Sequence, residues 1–322
     1  MMKSCLTSIL LMAAVSVAAC SSDTSSKADA STIPGGPDAA HGPVIDSGPT
    51  ADADYGEWLV LNEGSWTIPP GGDTYYCIVK TIQEDTYIKS FKGLIPLGTH
   101  HTVLTVYSGS EPDGIVPCNA GTNGPNMIYG TGVGTPPIDF PPGVAVKLTK
   151  GQRIINNLHL FNAGDTAISG TSGTLYKSMP ASEVQYEAEL VLAGKTFGLS
   201  VPMGESTQTG NCQVNAITHV PVQVFEVAPH MHKLGTHMKS TIVRGQQKIV
   251  IQDVDYTFEA QTFQIKTPTV ELRPGDVVQT DCTYRNTTDH TVVFGDSSND
   301  EMCFTNLFYY PKQGATFICS GL

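Results

Sequence analysis

The sequence predicts an all-β protein made of two consecutive antiparallel β-sandwiches. Glycine (32) and proline (21) are frequent among the 322 residues, and only 15% of the residues are charged. Short strand-like runs recur along the chain with turn signals between them, and no long amphipathic helical pattern is present. Because short strands joined by tight turns bury one face against a partner sheet, we expect sandwiches rather than a helical fold.

Two β-rich halves follow an N-terminal segment, and we place them at residues 56–182 and 183–322. Turn signals such as Pro69–Gly72 and Pro141–Gly143 separate the strand-like runs. The Gly-, Ser- and Thr-rich stretch Ser169–Ser178 marks the neighbourhood of the boundary. The strand-like runs are Trp58–Leu61, Tyr75–Val79, Thr102–Tyr107, Val144–Leu148, Pro221–Val227, Lys248–Gln252, Val277–Thr280 and Phe304–Tyr310.

The run Pro221–Val227 is the clearest strand of the C-terminal half. Side chains alternate along a strand, so we expect Val222, Val224 and Glu226 on one face. The residues between and after them then lie on the opposite face. Both faces carry apolar side chains, and we therefore predict that this strand is covered on both sides.

The first residues of the chain predict export. Lys3 precedes the apolar stretch 9–15, which is too short to span a bilayer, and small residues lead up to Cys20 as in a bacterial lipobox. We expect a lipoprotein signal peptide at 1–19, lipidation of Cys20 and anchoring in a bacterial envelope, with the outer membrane favoured. An ordinary signal peptide and a secreted product are the alternative. Residues 20–55, mostly Ser, Asp, Ala, Gly and Pro, are predicted to be a flexible tether.

The cysteine content and the charge narrow the possible functions. An even number of cysteines in an oxidising compartment suggests three disulfides, although six cysteines allow fifteen pairings. The absence of a CxxC pair argues against a zinc ribbon or a thioredoxin-like site. A formal net charge of −12 argues against nucleic acid or an anionic membrane surface as a partner. We therefore expect the protein to contact a membrane only through the lipid anchor. The six cysteines that follow Cys20 are Cys77, Cys118, Cys212, Cys282, Cys303 and Cys319.

One pair of histidines in the C-terminal half has the spacing of metal ligands. His230 and His232 are two residues apart, so on a strand both rings face the same side and can point at one ion. Met302 precedes an aromatic run and offers a thioether. Two imidazoles with one thioether suit copper that cycles between Cu(I) and Cu(II). Surface histidines and a packing methionine are the alternative interpretation.

A second set of histidines lies in the N-terminal half. His100 and His101 are adjacent, so on a regular strand their rings would face opposite sides. Joint ligation requires a bulge, a strand end or coordination through Nδ1. His159 lies in another strand-like run and can supply a third nitrogen. His219, His237 and His290 are interpreted as ordinary surface or core histidines.

The order of these landmarks resembles the copper type II, ascorbate-dependent monooxygenases, the family of peptidylglycine α-hydroxylating monooxygenase and dopamine β-monooxygenase. Each landmark alone is common, whereas the ordered set is specific. It covers residues 75 to 319. The landmarks are Tyr75-Tyr76-Cys77, Thr99-His100-His101, Leu158-His159-Leu160, His230-Met231-His232-Lys233-Leu234-Gly235, Arg273-Pro274-Gly275-Asp276-Val277-Val278, Cys282-Thr283-Tyr284, Glu301-Met302-Cys303 and Tyr309-Tyr310-Pro311.

The resemblance implies two jelly-roll sandwiches, each with one copper facing a solvent-filled cleft. It implies that ascorbate reduces both coppers, that dioxygen binds at one, and that an unactivated C–H bond is hydroxylated. The implied electron-transfer ligands are His100, His101 and His159; the implied oxygen-binding and catalytic ligands are His230, His232 and Met302. The implied disulfides are Cys77–Cys118, Cys212–Cys319 and Cys282–Cys303.

The substrate groups of the peptide-hydroxylating enzyme do not carry over. By the resemblance, Ala228, Phe304 and Asn306 occupy the positions at which that enzyme has arginine, asparagine and tyrosine, respectively. The substrate, a small molecule or a peptide, therefore stays unidentified. Glu301 is expected to brace the fold rather than to take part in catalysis. Two other hypotheses are a copper-carrying lipoprotein for storage or sensing, and a jelly-roll binding protein whose histidines hold no metal.

Overall fold

The computed structural model describes residues 55–121, 126–258, 261–314 and 317–321. In these ranges the chain is all-β, as predicted, with two single-turn 3-10 helices, Ala181–Glu183 and Val214–Ala216. The predicted signal peptide, the lipidation site Cys20 and the tether up to residue 54 lie outside the described residues. None of the helices described is long and apolar enough to cross a membrane.

The N-terminal half forms two antiparallel sheets that face each other. Its strands are β1 (Leu59–Ile68), β2 (Asp73–Thr81), β3 (Thr86–Leu94), β4 (Thr99–Val106), β5 (Gly114–Pro117), β6 (Met127–Gly132), β7 (Ile138–Asp139), β8 (Val144–Leu148), β9 (Arg153–Phe161) and β10 (Ile168–Ser178). One sheet has the order β1-β10-β3-β8 with β7 beside β3, and the other has the order β5-β2-β9-β4-β6. Between the sheets, Asn156 Nδ2 on β9 donates to Asn62 Oδ1 on β1 over 2.9 Å.

The C-terminal half also contains two large sheets in contact. Its strands are β11 (Tyr186–Glu187), β12 (Glu189–Lys195), β13 (Ser200–Val201), β14 (Gly204–Gln213), β15 (Val222–His230), β16 (Gly235–Arg244), β17 (Gln247–Asp255), β18 (Gln264–Leu272), β19 (Val277–Asn286), β20 (Val292–Val293), β21 (Cys303–Tyr310) and β22 (Ile318–Ser320). The sheets run β18-β15-β21-β12-β22 and β14-β19-β16-β17, with a separate β13-β20 pair. Strand β12 packs against β14 and β19 of the facing sheet.

The three implied disulfides are confirmed. Cys77 pairs with Cys118 within the N-terminal half. Cys212 on β14 pairs with Cys319 on β22, and Cys282 on β19 pairs with Cys303 on β21. Both C-terminal bridges therefore join the two large sheets. Cys303 of the second bridge directly follows Met302 in the chain.

The stretch Ser169–Ser178, which by its composition was expected near the domain boundary, is itself a strand. It is most of β10, which lies between β1 and β3. Ser172 and Thr174 in its middle are buried, and Ser172 Oγ accepts a hydrogen bond from Trp66 Nε1 over 2.7 Å. At Gly173 a Cβ atom would collide with the backbone carbonyl oxygen of Asn62. The Gly- and Ser-rich composition thus reflects close packing, which composition alone does not distinguish from a linker.

The predicted faces of the run Pro221–Val227 are wrong. A β-bulge shifts the register of β15 between Val224 and Glu226 against both neighbouring strands. Val222, Val224 and Val227 consequently share one apolar core. Glu226 points into a cavity instead of into that core. A bulge adds one residue to a strand, so it reverses the alternation that a sequence pattern assumes.

Aromatic residues join the two halves. The Phe140 ring lies 5.0 Å from the rings of Phe225 and Phe308, all measured between ring centroids. Strand β11 also pairs in parallel with β8, so the start of the C-terminal half extends an N-terminal sheet. These contacts place strands β4 and β6 of one half opposite strands β12, β15 and β21 of the other, around a shared cavity.

Candidate metal centres

Strands β4 and β9 bring the first three histidines together. The register of β4 shifts between Thr99 and His101, and His101 pairs with His159 on β9. The bulge that joint ligation requires is therefore present at the start of β4. His100 Nδ1 and His101 Nδ1 lie 2.9 Å apart, and one ring nitrogen from each of the three histidines lies within 4.8 Å of the others.

The surroundings of His159 fix its tautomer. Nε2 lies 2.7 Å from Asp73 Oδ1, and the ring stacks on Tyr75 at 4.5 Å with an interplanar angle of 7°. Because the carboxylate accepts the Nε2 proton, Nδ1 keeps its lone pair. That Nδ1 atom is buried and has no hydrogen-bond partner. A buried imidazole nitrogen without a partner beside two others fits a metal ion, which would satisfy it.

Removing the Asp73 carboxylate tests this arrangement. In Asp73→Ala the His159 ring loses the acceptor that fixes its tautomer, so we expect copper affinity at this group to fall roughly 10- to 100-fold. Calorimetric copper titration measures the change. Asp253→Ala is the control, because Asp253 accepts from the surface residue His237 in the same way, over 3.0 Å. Equal copper affinity in wild type and Asp73→Ala would show that Asp73 does not position a ligand.

His230 and His232 face the same cavity although only one of them lies on a strand. His230 is the last residue of β15, and His232 lies in the following turn. Their ring centroids are 5.6 Å apart and the rings are perpendicular. Met231 between them is buried in an apolar core. The shared orientation predicted from the spacing of two is therefore present, at a strand end.

Hydrogen bonds leave Nε2 of both rings available. His232 Nδ1 lies 3.1 Å from the Asp300 carbonyl oxygen, which can only accept, so Nδ1 carries the proton. His230 Nδ1 lies 3.0 Å from Gln261 Oε1. The amide of Gln261 is oriented by its Nε2, which donates to the Phe258 carbonyl oxygen over 3.3 Å. Both Nε2 atoms therefore keep the lone pair that a metal ligand uses.

Met302 lies directly before β21 and is held by its backbone. Glu301 accepts hydrogen bonds from the N–H groups of His232 (2.9 Å), Leu234 (2.8 Å) and Met302 (3.2 Å). The Tyr284 hydroxyl donates to the Met302 carbonyl oxygen over 2.7 Å. The Met302 side chain lines the same cavity as the two histidines. Glu301 thus ties the two segments together, as expected of a bracing carboxylate.

Burial keeps these imidazoles neutral. It lowers the pKa of His101 well below its usual value, lowers that of His230, and lowers that of His232 to about 3. The neighbouring histidines lower the pKa values of His101 and His232 further. A neutral imidazole is the form that binds a metal ion, so no proton has to be displaced at neutral pH.

Both histidine groups open into one cavity of about 170 Å³. The buried ring of Phe258 lies between the groups. It stacks on His100 at a centroid distance of 4.5 Å and approaches His232 edge-on at 6.3 Å. Ala228, Phe304 and Asn306 also line this cavity.

Several of these residues were not predicted from the sequence. Asp73, Phe258 and Gln261 carry no motif, and only the fold brings them to the histidines. The other described histidines stay apart from both groups: His237 pairs with Asp253 and His290 with Asp289 at the surface. Among the described His, Cys, Asp and Glu residues, the first histidine group is the only cluster of three with this geometry.

Comparison with known proteins gives a consistent result. Residues 186–320 match the model of the copper type II ascorbate-dependent monooxygenase, C-terminal domain. DBH-like monooxygenase protein 1 of Mus musculus is 26% identical over an alignment of 286 residues, and the match covers 77% of this chain and 46% of that protein. Peptidyl-glycine alpha-amidating monooxygenase A of Xenopus laevis is 26% identical over 261 residues, covering 75% of this chain and 27% of that protein.

Dopamine beta-hydroxylase of Canis lupus familiaris is 34% identical over an alignment of 108 residues, and the match covers 32% of this chain and 17% of that protein. The chain spans about half the length of the mouse relative and less of the other two. The family model and these relatives agree with the order of landmarks in the sequence. Residues 186–320 therefore match the copper type II, ascorbate-dependent monooxygenase family, and the similarity to the mouse and Xenopus relatives extends over about three quarters of the chain.

Proposed function

We propose that this chain is a dicopper monooxygenase that hydroxylates an unactivated C–H bond with dioxygen and ascorbate, or another one-electron reductant. The observation that supports it most is a single cavity into which two histidine groups open. His100, His101 and His159 would hold one copper, and His230, His232 and Met302 the other. We also propose that each pair of facing sheets is a jelly-roll sandwich.

The two ligand sets suit different tasks. In the reaction, one oxygen atom enters the C–H bond and the other leaves as water, which consumes two electrons and two protons. Copper would supply the one-electron chemistry and the binding of dioxygen. Three imidazoles suit a site that stores an electron, whereas a thioether favours Cu(I), the state that engages dioxygen.

The residues around the cavity would orient the ligands and limit the access of water. Asp300 and Gln261 hold the protons of the two Nδ1 atoms, so Nε2 stays free of a proton. Asp73 has the same effect on His159 through the opposite nitrogen. The aromatic rings of Phe258 and Phe304 are buried against the cavity and exclude solvent from part of its wall.

We further propose that the protein is exported and anchored in the cell envelope by a lipid.

Oxygen uptake tests the proposal. Copper-loaded protein with ascorbate and a panel of alkyl and arylalkyl compounds is expected to consume dioxygen and to yield a hydroxylated product. With ¹⁸O₂, the product is expected to carry the label in its new hydroxyl group. Zinc-loaded protein is the control, because zinc does not change its redox state. If copper binds tightly at both groups and no compound raises oxygen uptake above this control, the monooxygenase proposal is wrong. A copper-carrying protein for storage or sensing is then the better interpretation.

A further inference from the structure

The floor of the cavity continues along β15 away from the second histidine group. His230, Ala228 and Glu226 lie at alternate positions and all line the cavity. Their partners on β21 are Phe304, Asn306 and Phe308, which line it too. The bulge between Val224 and Glu226 sets this alternation, because without it Glu226 would face the core. A continuous track therefore leads from His230 to Glu226.

Glu226 is a buried carboxyl group without a counterion. Glu226 is only 3% exposed. None of the described residues forms a hydrogen bond or an ion pair with its carboxyl group. Burial raises its pKa to about 8. Buried polar groups are almost always partnered, and a buried carboxyl group that faces a cavity is available to a ligand. Near it, the buried Asn306 Oδ1 atom also has no hydrogen-bond partner.

The rest of this end of the cavity is mainly apolar. Leu190, Phe263 and Phe308 line it together with Ile138 from the N-terminal half. The unpartnered Tyr129 hydroxyl is a further polar group beside Glu226. Mainly apolar walls with such a small polar cluster select a ligand that has an apolar body and one complementary head group. Asp296 is the other acidic residue on the cavity wall, but it is exposed to solvent, where an ion pair contributes little.

The spacing along the track sets the length of such a ligand. Four residues of extended chain separate Glu226 from His230, which corresponds to roughly 13 Å. The small side chain of Ala228 lies between them and leaves the track open. A ligand whose head group is next to its reactive carbon cannot reach both ends of this track.

We propose that Glu226 binds the ammonium group of an elongated primary amine, whose apolar body lies over Ala228 and whose far end reaches His230, His232 and Met302. This substrate class rests on the proposed monooxygenase function for its reaction, although the binding itself requires no metal. The carboxylate and the ammonium group would form a buried, charge-assisted hydrogen bond, which is stronger than a bond between neutral groups.

Binding to the metal-free protein tests the proposal without any turnover. The probes are n-decylamine and its neutral counterpart n-decanol, each titrated by calorimetry at concentrations at which it is fully dissolved as a monomer. In Glu226→Gln, decylamine is expected to bind about tenfold more weakly or worse, whereas decanol binding changes little. Glu226→Asp retains the charge and is expected to keep a measurable preference for decylamine over decanol. Thermal melting confirms that both variants are folded.

Non-specific binding of a cation to this acidic chain, with its net charge of −12, is the competing explanation. Asp296→Asn is the matched control, because it removes one carboxylate from the same cavity. It is expected to leave decylamine affinity unchanged. The proposal is overturned if folded Glu226→Gln binds decylamine as well as wild type does, or if Asp296→Asn weakens binding equally.

A second arm separates this inference from the proposed function. Copper-loaded wild type with ascorbate and decylamine is expected to place the new hydroxyl group toward the chain end remote from nitrogen, as read by mass spectrometry. Hydroxylation next to the nitrogen would contradict the position of Glu226 while supporting the oxygenase. Glu226-dependent binding without oxygen uptake would support the amine site and count against the monooxygenase.

Discussion

Replacing Met302 with isoleucine is expected to abolish product formation and to remove copper from one of the two sites. The Met302 side chain packs against Leu192, Phe304 and Phe317, and an apolar side chain of similar volume maintains those contacts. The thioether is lost, however, and with it the soft ligand that favours Cu(I). We expect the affinity for Cu(I) at this site to fall by roughly two orders of magnitude. Competition with a Cu(I) chelator measures it.

Met203→Ile is the matched control for this variant. Met203 lies in the same half of the chain but is 64% exposed and does not line the cavity. It is expected to bind copper and to turn over like wild type. If Met302→Ile retains full Cu(I) affinity and activity, then Met302 is a packing residue and the proposed oxygen-binding site is wrong.

Replacing His159 with alanine is expected to stop turnover by a different route. The variant loses the nitrogen that completes the first histidine group, together with its contacts to Tyr75 and Asp73. Copper is expected to leave this group, while the site of His230, His232 and Met302 stays loaded. Without the electron store, steady-state product formation is expected to fall by about 100-fold or more. Oxygen uptake and metal analysis on the same samples measure both effects.

His237→Ala serves as its control, since His237 pairs with Asp253 at the surface and contacts neither group. Its copper content and activity are expected to match wild type. Full steady-state activity in His159→Ala would mean that the first histidine group does not deliver electrons. The two-copper interpretation would then reduce to a single functional metal site.

The histidine groups could be predicted because their ligands fall into short local patterns. His230 and His232 are two residues apart, and the bulge needed for His100 and His101 was one of the stated possibilities. The ordered landmarks then supplied the disulfide pairs, which the number of cysteines left open. The strand-like runs were also found, since alternation and turn residues are local signals.

The residues that support the ligands could not be predicted in the same way. Asp73 is 86 residues from His159, and Gln261 is 31 residues from His230, so only the folded register brings them together. The bulge in β15 depends on how both neighbouring strands pair with it, and a single strand's sequence does not reveal that. The consequence is large, because the bulge moves Glu226 from the strand face predicted to carry Val222 and Val224 to the wall of the cavity.

Copper X-ray absorption combined with metal analysis of the ascorbate-reduced protein distinguishes a two-copper protein with these ligands from every alternative. The proposed ligands predict one copper at each histidine group, with five imidazole nitrogens and one sulfur shared between the two ions. They also predict that the sulfur signal disappears in Met302→Ile and persists in His159→Ala. A protein that binds only one copper, or two coppers without any sulfur scatterer, would contradict the account.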